Sequence, residues 1–295
     1  MTASEFDYLT TKELADLLRI KERKVYDLAA NGEVPCARVV GKLLFPRTDI
    51  EAWIASSRSG PVPAKTLPPE ILAGSHDPLL EWALRESGSG LAAFFDGSLD
   101  GLDRLARGAA LTAGMHVPDG EDGWNIGFVR GALGDQPVVL IEFAKRQRGL
   151  IVAQGNPHSV SGLADIKTLR VARRQPTSGS QHLIEALLRS AGLDPDTLAG
   201  PPTPARTETD AALMILDGKA DAIIGLPALA AQYHLDFVPL VEERFDLLVW
   251  RRAYFEKPFQ DLLAFFRSES FLQRAAEMPG YDVSGLGTVH FNGAS

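Results

Sequence analysis

The sequence predicts a small α+β module, ordered helix, helix, wing and helix, followed by a larger α/β domain. Three observations carry this. Residues 8–54 hold short amphipathic helical patterns around a strand pair, a proline-rich stretch follows, and from Pro69 onward apolar strand-like runs alternate with helical ones. A chain of 295 residues has room for about two domains.

Composition narrows the class. With 45% hydrophobic and 23% charged residues the chain has the balance of a folded protein in water, which excludes collagenous, coiled-coil and largely disordered types. No apolar run approaches the ~18 residues of a membrane-spanning helix. Glu5 and Asp7 near the start do not fit the basic-then-apolar layout of a signal peptide, so a cytoplasmic protein is expected. Cys36 stands alone, which excludes disulfide frameworks, zinc ribbons and Cys-x-x-Cys redox chemistry by count. Residues 1–58 carry nine basic and nine acidic side chains, so the rest of the chain bears the whole formal charge of −8. Within the first part, Arg19, Lys21, Arg23, Lys24, Arg38, Lys42 and Arg47 face only Glu22, Asp27 and Glu33, and the stretch is locally basic. The run SSRSGPVPAKTLPP, with four prolines, reads as a linker. The expected division is a module over 1–58, a linker over 59–69 and a second domain over 70–295.

In the module, Thr10 and Glu13 fit a capping box for a helix whose Leu14, Leu17 and Leu18 share one face and which ends near Arg19. After a turn at Ile20, KERKVYDLAANG gives a second helix with Val25, Leu28 and Ala29 inward and Lys21, Arg23 and Lys24 at its exposed beginning; Gly32 stops it. ARVVGKLLF forms a hairpin, or wing, around Gly41-Lys42. Thr48 with Glu51 is a second capping box, opening a helix that buries Ile50, Trp53 and Ile54. On LTTKELADLL, VYDLAANGEVP and GKLLFPRTDIEAWI, the stretch from Tyr8 to Ile54 resembles the excisionase-like branch of the MerR-type winged helix-turn-helix family. That resemblance implies double-stranded DNA as partner. The helix carrying Lys21, Arg23 and Lys24 would enter the major groove, and Arg38 and Lys42 of the wing would reach flanking phosphates. The competing reading is a module that docks protein. Because one such module reads a half-site, a homodimer is expected.

Beyond the linker, LAAFF, VVLIEFA, GLIVA, LRVAR, AIIG and FVPL read as strands, and LLEWALRES, HLIEALLRSAG and DAALMILDG as helices, giving a mostly parallel sheet. Three loops lead into helix starts: GSHDP, FFDGS and RRQPTSGSQ, the last feeding a helix from around Gln181. Helix N-termini with small hydroxyl residues hold anions, since unpaired N–H groups and the helix dipole favour negative charge there. Serine before a helix is more often only a cap. Phe94, Phe95 and Trp124 read as core.

The span from about Leu72 to Arg251 resembles the periplasmic-binding-protein-like domains associated with molybdenum-related regulators and cofactor proteins. The residues that carry it are GSHDPLL, DGSLDGLDRLARGAALTAGMHV, Asn125, GLIVAQGNP, RRQPTSGSQ, GKADAIIG and LDFVPLVEERFDL, in the family's order. The resemblance implies a two-lobed type 2 fold with two crossovers as hinge and a ligand between the lobes. By position it implies Ser75, His76, Ser98, His116, Asn125, Ser178, Gly179 and Ser180 as ligand-binding residues. In the third loop Arg174 and Gln175 match the family, but Pro176, Thr177 and Gln181 stand where it has arginine, glycine and arginine, so two positive charges are missing. His76, Asp77 and His116 lack metal-site spacing, and no nucleophile elbow, phosphate-binding loop or dinucleotide fingerprint occurs. The expectation is a DNA-binding transcriptional regulator, not an enzyme, with no cofactor or metal and with a small anion, molybdate or tungstate first, as ligand. The alternatives are a molybdenum-cofactor enzyme or handling protein, or a sensor of a small organic ligand.

Replacing Arg23 and Lys24 with alanine should reduce discrimination for a selected operator by about 1 to 3 kcal/mol in gel-shift titrations. Replacing Arg38 and Lys42 should instead weaken all sequences alike and flatten the salt dependence, so a sequence-selective loss there would contradict the wing assignment.

Overall fold

The computed structural model describes residues 8–56, 67–120 and 123–294. The chain divides into two compact units, 1–66 and 67–295. Residues 59–66 of the expected linker lie outside the described residues.

The first unit holds β1 (Tyr8–Thr10), α1 (Thr11–Leu18), α2 (Glu22–Ala30), β2 (Ala37–Val39), β3 (Lys42–Pro46) and α3 (Arg47–Ser56). The capping box forms as expected: Glu13 N–H donates to Thr10 Oγ1 at 3.3 Å and Thr10 N–H donates to Glu13 Oε2 at 2.8 Å. Leu14, Ala15 and Leu18 turn inward, while Leu17 is 49% exposed. At 3.6 residues per turn Leu17 lies about 100° from the centre of that arc, which is why it misses the core. Arg19, in the left-handed region, ends α1. Leu14, Val25, Phe45 and Ile50 form the centre of this small core, with Trp53 and Ile54 packed against it. β1 was not anticipated. It pairs antiparallel with β3, on the edge opposite β2. The wing differs from expectation by one residue: Val39 pairs with Lys42, so the turn is Val40-Gly41, both with positive φ (49° and 79°). That is the geometry of a tight hairpin turn matched to strand twist. Because α3 starts at Arg47, Thr48 lies inside it and does not cap it.

The second unit begins with β4 (Ile71–Gly74), α4 (Pro78–Glu86), β5 (Ala92–Phe95), α5 (Ser98–Ala106), β6 (Thr112–Met115), α6 (Ile126–Leu133) and β7 (Val138–Val152). It continues with α7 (Gly179–Ser190), α8 (Glu208–Leu216), β8 (Ala222–Gly225), α9 (Pro227–Gln232) and β9 (Asp236–Trp250). It ends with α10 (Arg251–Tyr254), α11 (Lys257–Phe266), α12 (Glu269–Glu277), β10 (Tyr281–Asp282) and β11 (Val289–Asn292). β4 pairs in parallel with β5 and β6, but β6–β9, β7–β9, β7–β8 and both last strands on β7 are antiparallel. The sheet is therefore mixed, not mostly parallel. The reason is that VVLIEFA and GLIVA are one 15-residue strand, which runs antiparallel to the equally long β9 through both lobes. LRVAR makes only an isolated bridge, Val171 to Ala222.

One lobe packs α4, α11 and α12 on one face of its sheet, around Leu72, Phe143 and Phe245, and α5 and α6 on the other, around Leu105, Met115 and Leu140. The second lobe sandwiches β8 and the far halves of β7 and β9 between the core of Leu150, Leu183 and Ile224 and that of Ile151, Ala212 and Ile223. Phe95 and Trp124 pack against cores; Phe94 does not, being 43% exposed beneath the Arg104 guanidinium at 3.8 Å. Among the described residues no helix is long and apolar enough to cross a membrane.

The wing tip carries a cost. A β-branched residue at positive φ is strained, and Val40, 97% exposed, has no packing to offset it. Val40→Asn should raise the stability of the N-terminal unit by about 1 kcal/mol, because asparagine tolerates this region. Chemical denaturation followed by a probe in that unit tests this, and an unchanged midpoint would contradict it.

Candidate functional site

The site is built on the crossing strands. β7 and β9 shift register between Glu142 and Ala144 and again between Arg148 and Gly149. Bulges bend and twist a strand pair, and the segment between these two carries the charges. Along it Lys145 and Gln147 are exposed while Arg146 and Arg148 are buried, the period of two expected of a strand. Arg146 lies opposite Glu243 in register and donates to its carboxylate; its other arm donates to Asp77 Oδ2 at 2.6 Å, and its guanidinium sits 4.3 Å from the centre of the Phe245 ring. Arg148 donates to Ser180 Oγ at 2.7 Å and pairs with Glu208 Oε1 at 2.7 Å. Arg146 is 1% and Arg148 0% exposed.

Each lobe brings groups to these arginines. From the first, Asp77 caps α4 by accepting Leu80 N–H at 2.7 Å and also accepts from Tyr281 Oη at 2.5 Å. His116, just past β6, spans 2.9 Å from Nδ1 to Glu243 and 2.8 Å from Nε2 to Ser75 Oγ. A carboxylate only accepts, so Nδ1 donates to Glu243; burial favours the neutral ring, in which Nε2 accepts from the serine. From the second lobe come Ser178, Gly179 and Ser180 at the start of α7, and Glu208 at the start of α8. A side chain at position 179 would meet His116 Nε2 at 2.7 Å, so only glycine permits this approach. The lobes also meet directly. Leu99 N–H, in the first turn of α5, donates to the Thr177 carbonyl at 3.1 Å, Thr177 Oγ1 donates to the Asp96 carbonyl at 3.1 Å, and Arg206 pairs with Asp96 at 2.7 Å.

The expected site residues divide in two. Ser75, Ser98, His116, Ser178, Gly179 and Ser180 are buried on facing parts of the two lobes. Ser98 accepts His116 N–H at 3.2 Å and caps nothing, since Gly97 is the α5 cap; Ser178 stands at the α7 cap without a side-chain capping bond, and the helix starts at Gly179, not Gln181. Asn125 is buried with its amide spent on the protein: Oδ1 accepts Val117 N–H, and Nδ2 donates to Met115 O and Asp246. It shapes the loop after β6. His76 stands apart, partly exposed, 3.1 Å from Glu81. Sequence reasoning missed Arg146, Arg148, Glu208 and Glu243. For three of them a signal was present: KRQRG places two arginines at strand spacing between apolar runs, and VEERF sets Glu243 in step with Val241 and Phe245 on β9, whereas nothing in the sequence marked Glu208. Among the described residues no group of three or more His, Cys, Asp or Glu is placed to hold a metal. In the first unit Lys21, Arg23, Lys24, Arg38 and Lys42 are all exposed.

Burial pushes the His116 ring below its ordinary value, with Glu243 only partly restoring it. For Glu208, burial alone would raise the carboxyl, but Arg148 and Arg174 outweigh it and hold it at about 2; Arg146 likewise keeps Glu243 well below the carboxylate range. All three groups bind protons less readily folded than unfolded, so all make stability rise with pH. Unfolding free energy should decline once pH drops below about 6.5, the unfolded value of His116, and decline further below about 4.5, where the carboxylates join. Denaturant titrations across pH check this: His116→Gln should flatten the segment from pH 7 to 5, and a wild-type profile already flat there would contradict the assignment.

Residues 8–58 match the helix-turn-helix domain family, and residues 80–267 match the PBP superfamily domain. The uncharacterized protein YvgK of Bacillus subtilis (strain 168) is 27% identical over 308 residues, covering 97% of this chain and 98% of that protein. The fold is similar to a protein assigned as a phosphate ABC transporter substrate-binding protein, with bound phosphate, from Clostridium perfringens (TM-score 0.57, 13% identity, 72% of this chain and 98% of that one). It is also similar to the sulfate-binding protein SubI of Mycobacterium tuberculosis H37Rv (TM-score 0.51, 15% identity, 72% and 86%). The chain belongs to the PBP superfamily domain family, with a helix-turn-helix domain preceding that domain.

Proposed function

We propose that this protein is a ligand-responsive DNA-binding regulator that takes a small anion between the lobes of its second unit. The observation that carries the reading is the meeting of hydroxyl, backbone and imidazole groups from both lobes around two fully buried arginines, in a chain that also bears a helix-turn-helix with exposed basic residues. Arg146 and Arg148 on β7 place two guanidinium groups where the third loop lacks arginines, paired in this arrangement with Asp77, Glu243 and Glu208. With the α7 N-terminus, equivalent to about half a positive charge, the site has the character of an oxyanion seat; the α5 N-terminus joins it only when the Leu99 to Thr177 bond opens. Molybdate and tungstate are the first candidates, and the ligand is bound rather than transformed. Phosphate and sulfate are the ligands named for the two solved relatives.

In this reading the anion biases the lobes between two arrangements, and operator affinity follows the difference in ligand affinity between them. Two copies act together in the cytoplasm, because one module reads one half-site. A small organic acid is the second reading. A crevice of about 580 Å³ opens beside Glu208, bordered by His76, Thr209, Gln232 and Arg274, which is room for more than a single oxyanion.

Calorimetry with molybdate, tungstate and sulfate tests the proposal. The longer metal–oxygen bonds of the first two should reach donors that sulfate leaves unmet, at about 1 to 3 kcal/mol for each. Ser98→Ala with Ser178→Ala should weaken binding at least tenfold, roughly 1.4 kcal/mol. Equal affinity for sulfate and molybdate, or binding untouched by the double substitution, would remove the oxyanion reading.

A further inference from the structure

Three donors from separate elements converge on one carboxylate oxygen. Glu208 Oε1 lies 2.7 Å from Arg148 Nη2 on β7, 2.9 Å from Ser180 Oγ in the first turn of α7, and 3.9 Å from Arg174 Nη1 in the third loop. Two guanidinium groups and a hydroxyl at a helix N-terminus are the donor set that holds free anions elsewhere. This one is larger than its occupant needs: Arg148 is fully buried, yet its Nη1 has no hydrogen-bond acceptor, and its Nε reaches no nearer than 3.7 Å to Glu243 Oε1. We infer that Glu208 is an internal stand-in for the ligand anion, and that a bound anion takes the Arg148–Ser180 seat by turning the Glu208 side chain out into the adjoining crevice.

The inference rests on the anion-site reading above and adds how that site is guarded. Of the three carboxylates in the cluster, Glu208 alone is free to leave. Asp77 is held by Arg146, Tyr281 and the start of α4, and Glu243 by Arg146 and His116; both side chains are 0% exposed. The Glu208 side chain is 14% exposed and borders the crevice of about 580 Å³. Nor does α8 depend on it, because Thr207 and Asp210 cap that helix reciprocally. Protonation offers no substitute for movement, since the neighbouring arginines keep this carboxyl at about 2, ionised at any physiological pH. A carboxylate tethered at its own seat competes at high effective concentration, so it sets the ligand level at which the protein responds.

The experiment is calorimetry on the full chain with molybdate, tungstate, sulfate and phosphate, comparing wild type with Glu208→Gln and Glu208→Asp, each variant first shown to melt cooperatively. Glutamine removes the competing charge. Aspartate keeps the charge but withdraws it by about 1.5 Å, one carbon–carbon bond, so that it cannot fill the seat. If Glu208 is the stand-in, the best-bound probe should bind both variants at least tenfold more tightly than wild type. Tighter binding by the glutamine variant alone would make Glu208 a background charge and overturn the inference, as would unchanged or weaker binding by both, and in either case the anion site itself would stand. Absence of binding to all three proteins would instead defeat the anion-site reading, and this inference with it.

Discussion

Two guanidinium groups are sealed from water where the long strands β7 and β9 cross from one lobe to the other, and each must find acceptors there. Taking an ion out of water costs several kcal/mol, and removing one partner of a buried pair typically costs about 3 to 5 kcal/mol. That demand explains the contents of the cleft. Arg146 is met by Glu243 across the ladder and by Asp77 at the head of α4, and Arg148 by Glu208 and Ser180 at the heads of α8 and α7. The same carboxylate of Glu243 orients His116, which in turn holds Ser75. A single charge cluster thus ties both lobes to the hinge between them.

Around this cluster the lobes touch through backbone as much as through side chains. The surface pair of Arg206 and Asp96, with the arginine 74% exposed, is of a kind worth only about 0 to 1 kcal/mol. The bond from Leu99 N–H to the Thr177 carbonyl is different in kind, because it occupies a donor at the mouth of α5 with a carbonyl from the opposite lobe. The α5 mouth is therefore not an open anion site in this arrangement. An arriving ligand and the third loop would compete for overlapping donors, which gives lobe separation a direct chemical link to occupancy of the cleft.

The N-terminal unit follows a simpler economy. Its core is a handful of apolar side chains from three helices and a three-stranded sheet, and its basic residues stay outside it. Among the described residues of this unit, the basic side chains of α2 and the wing lie outside that core and are exposed.

Local chemistry made much of this legible in the sequence. The Thr10–Glu13 box, the hairpin, the strand and helix alternation and the serines at the starts of α5 and α7 all depend on residues close together in the chain, and their patterns translate directly into elements. Of the residues carried over by family resemblance, Ser75, Ser98, His116, Ser178, Gly179 and Ser180 lie on facing parts of the lobes, whereas Asn125 is bonded within its own lobe and His76 stands apart. What the sequence alone did not disclose was the charge that they surround. Arg146 and Glu243 are 97 residues apart and His116 and Glu243 127, and in a one-dimensional reading Arg146 and Arg148 look like an interruption between two short strands. Only the pairing of β7 with β9 makes that stretch continuous and turns alternate side chains inward. The tertiary structure decided this because the burial of a charge depends on partners that come from elsewhere in the chain.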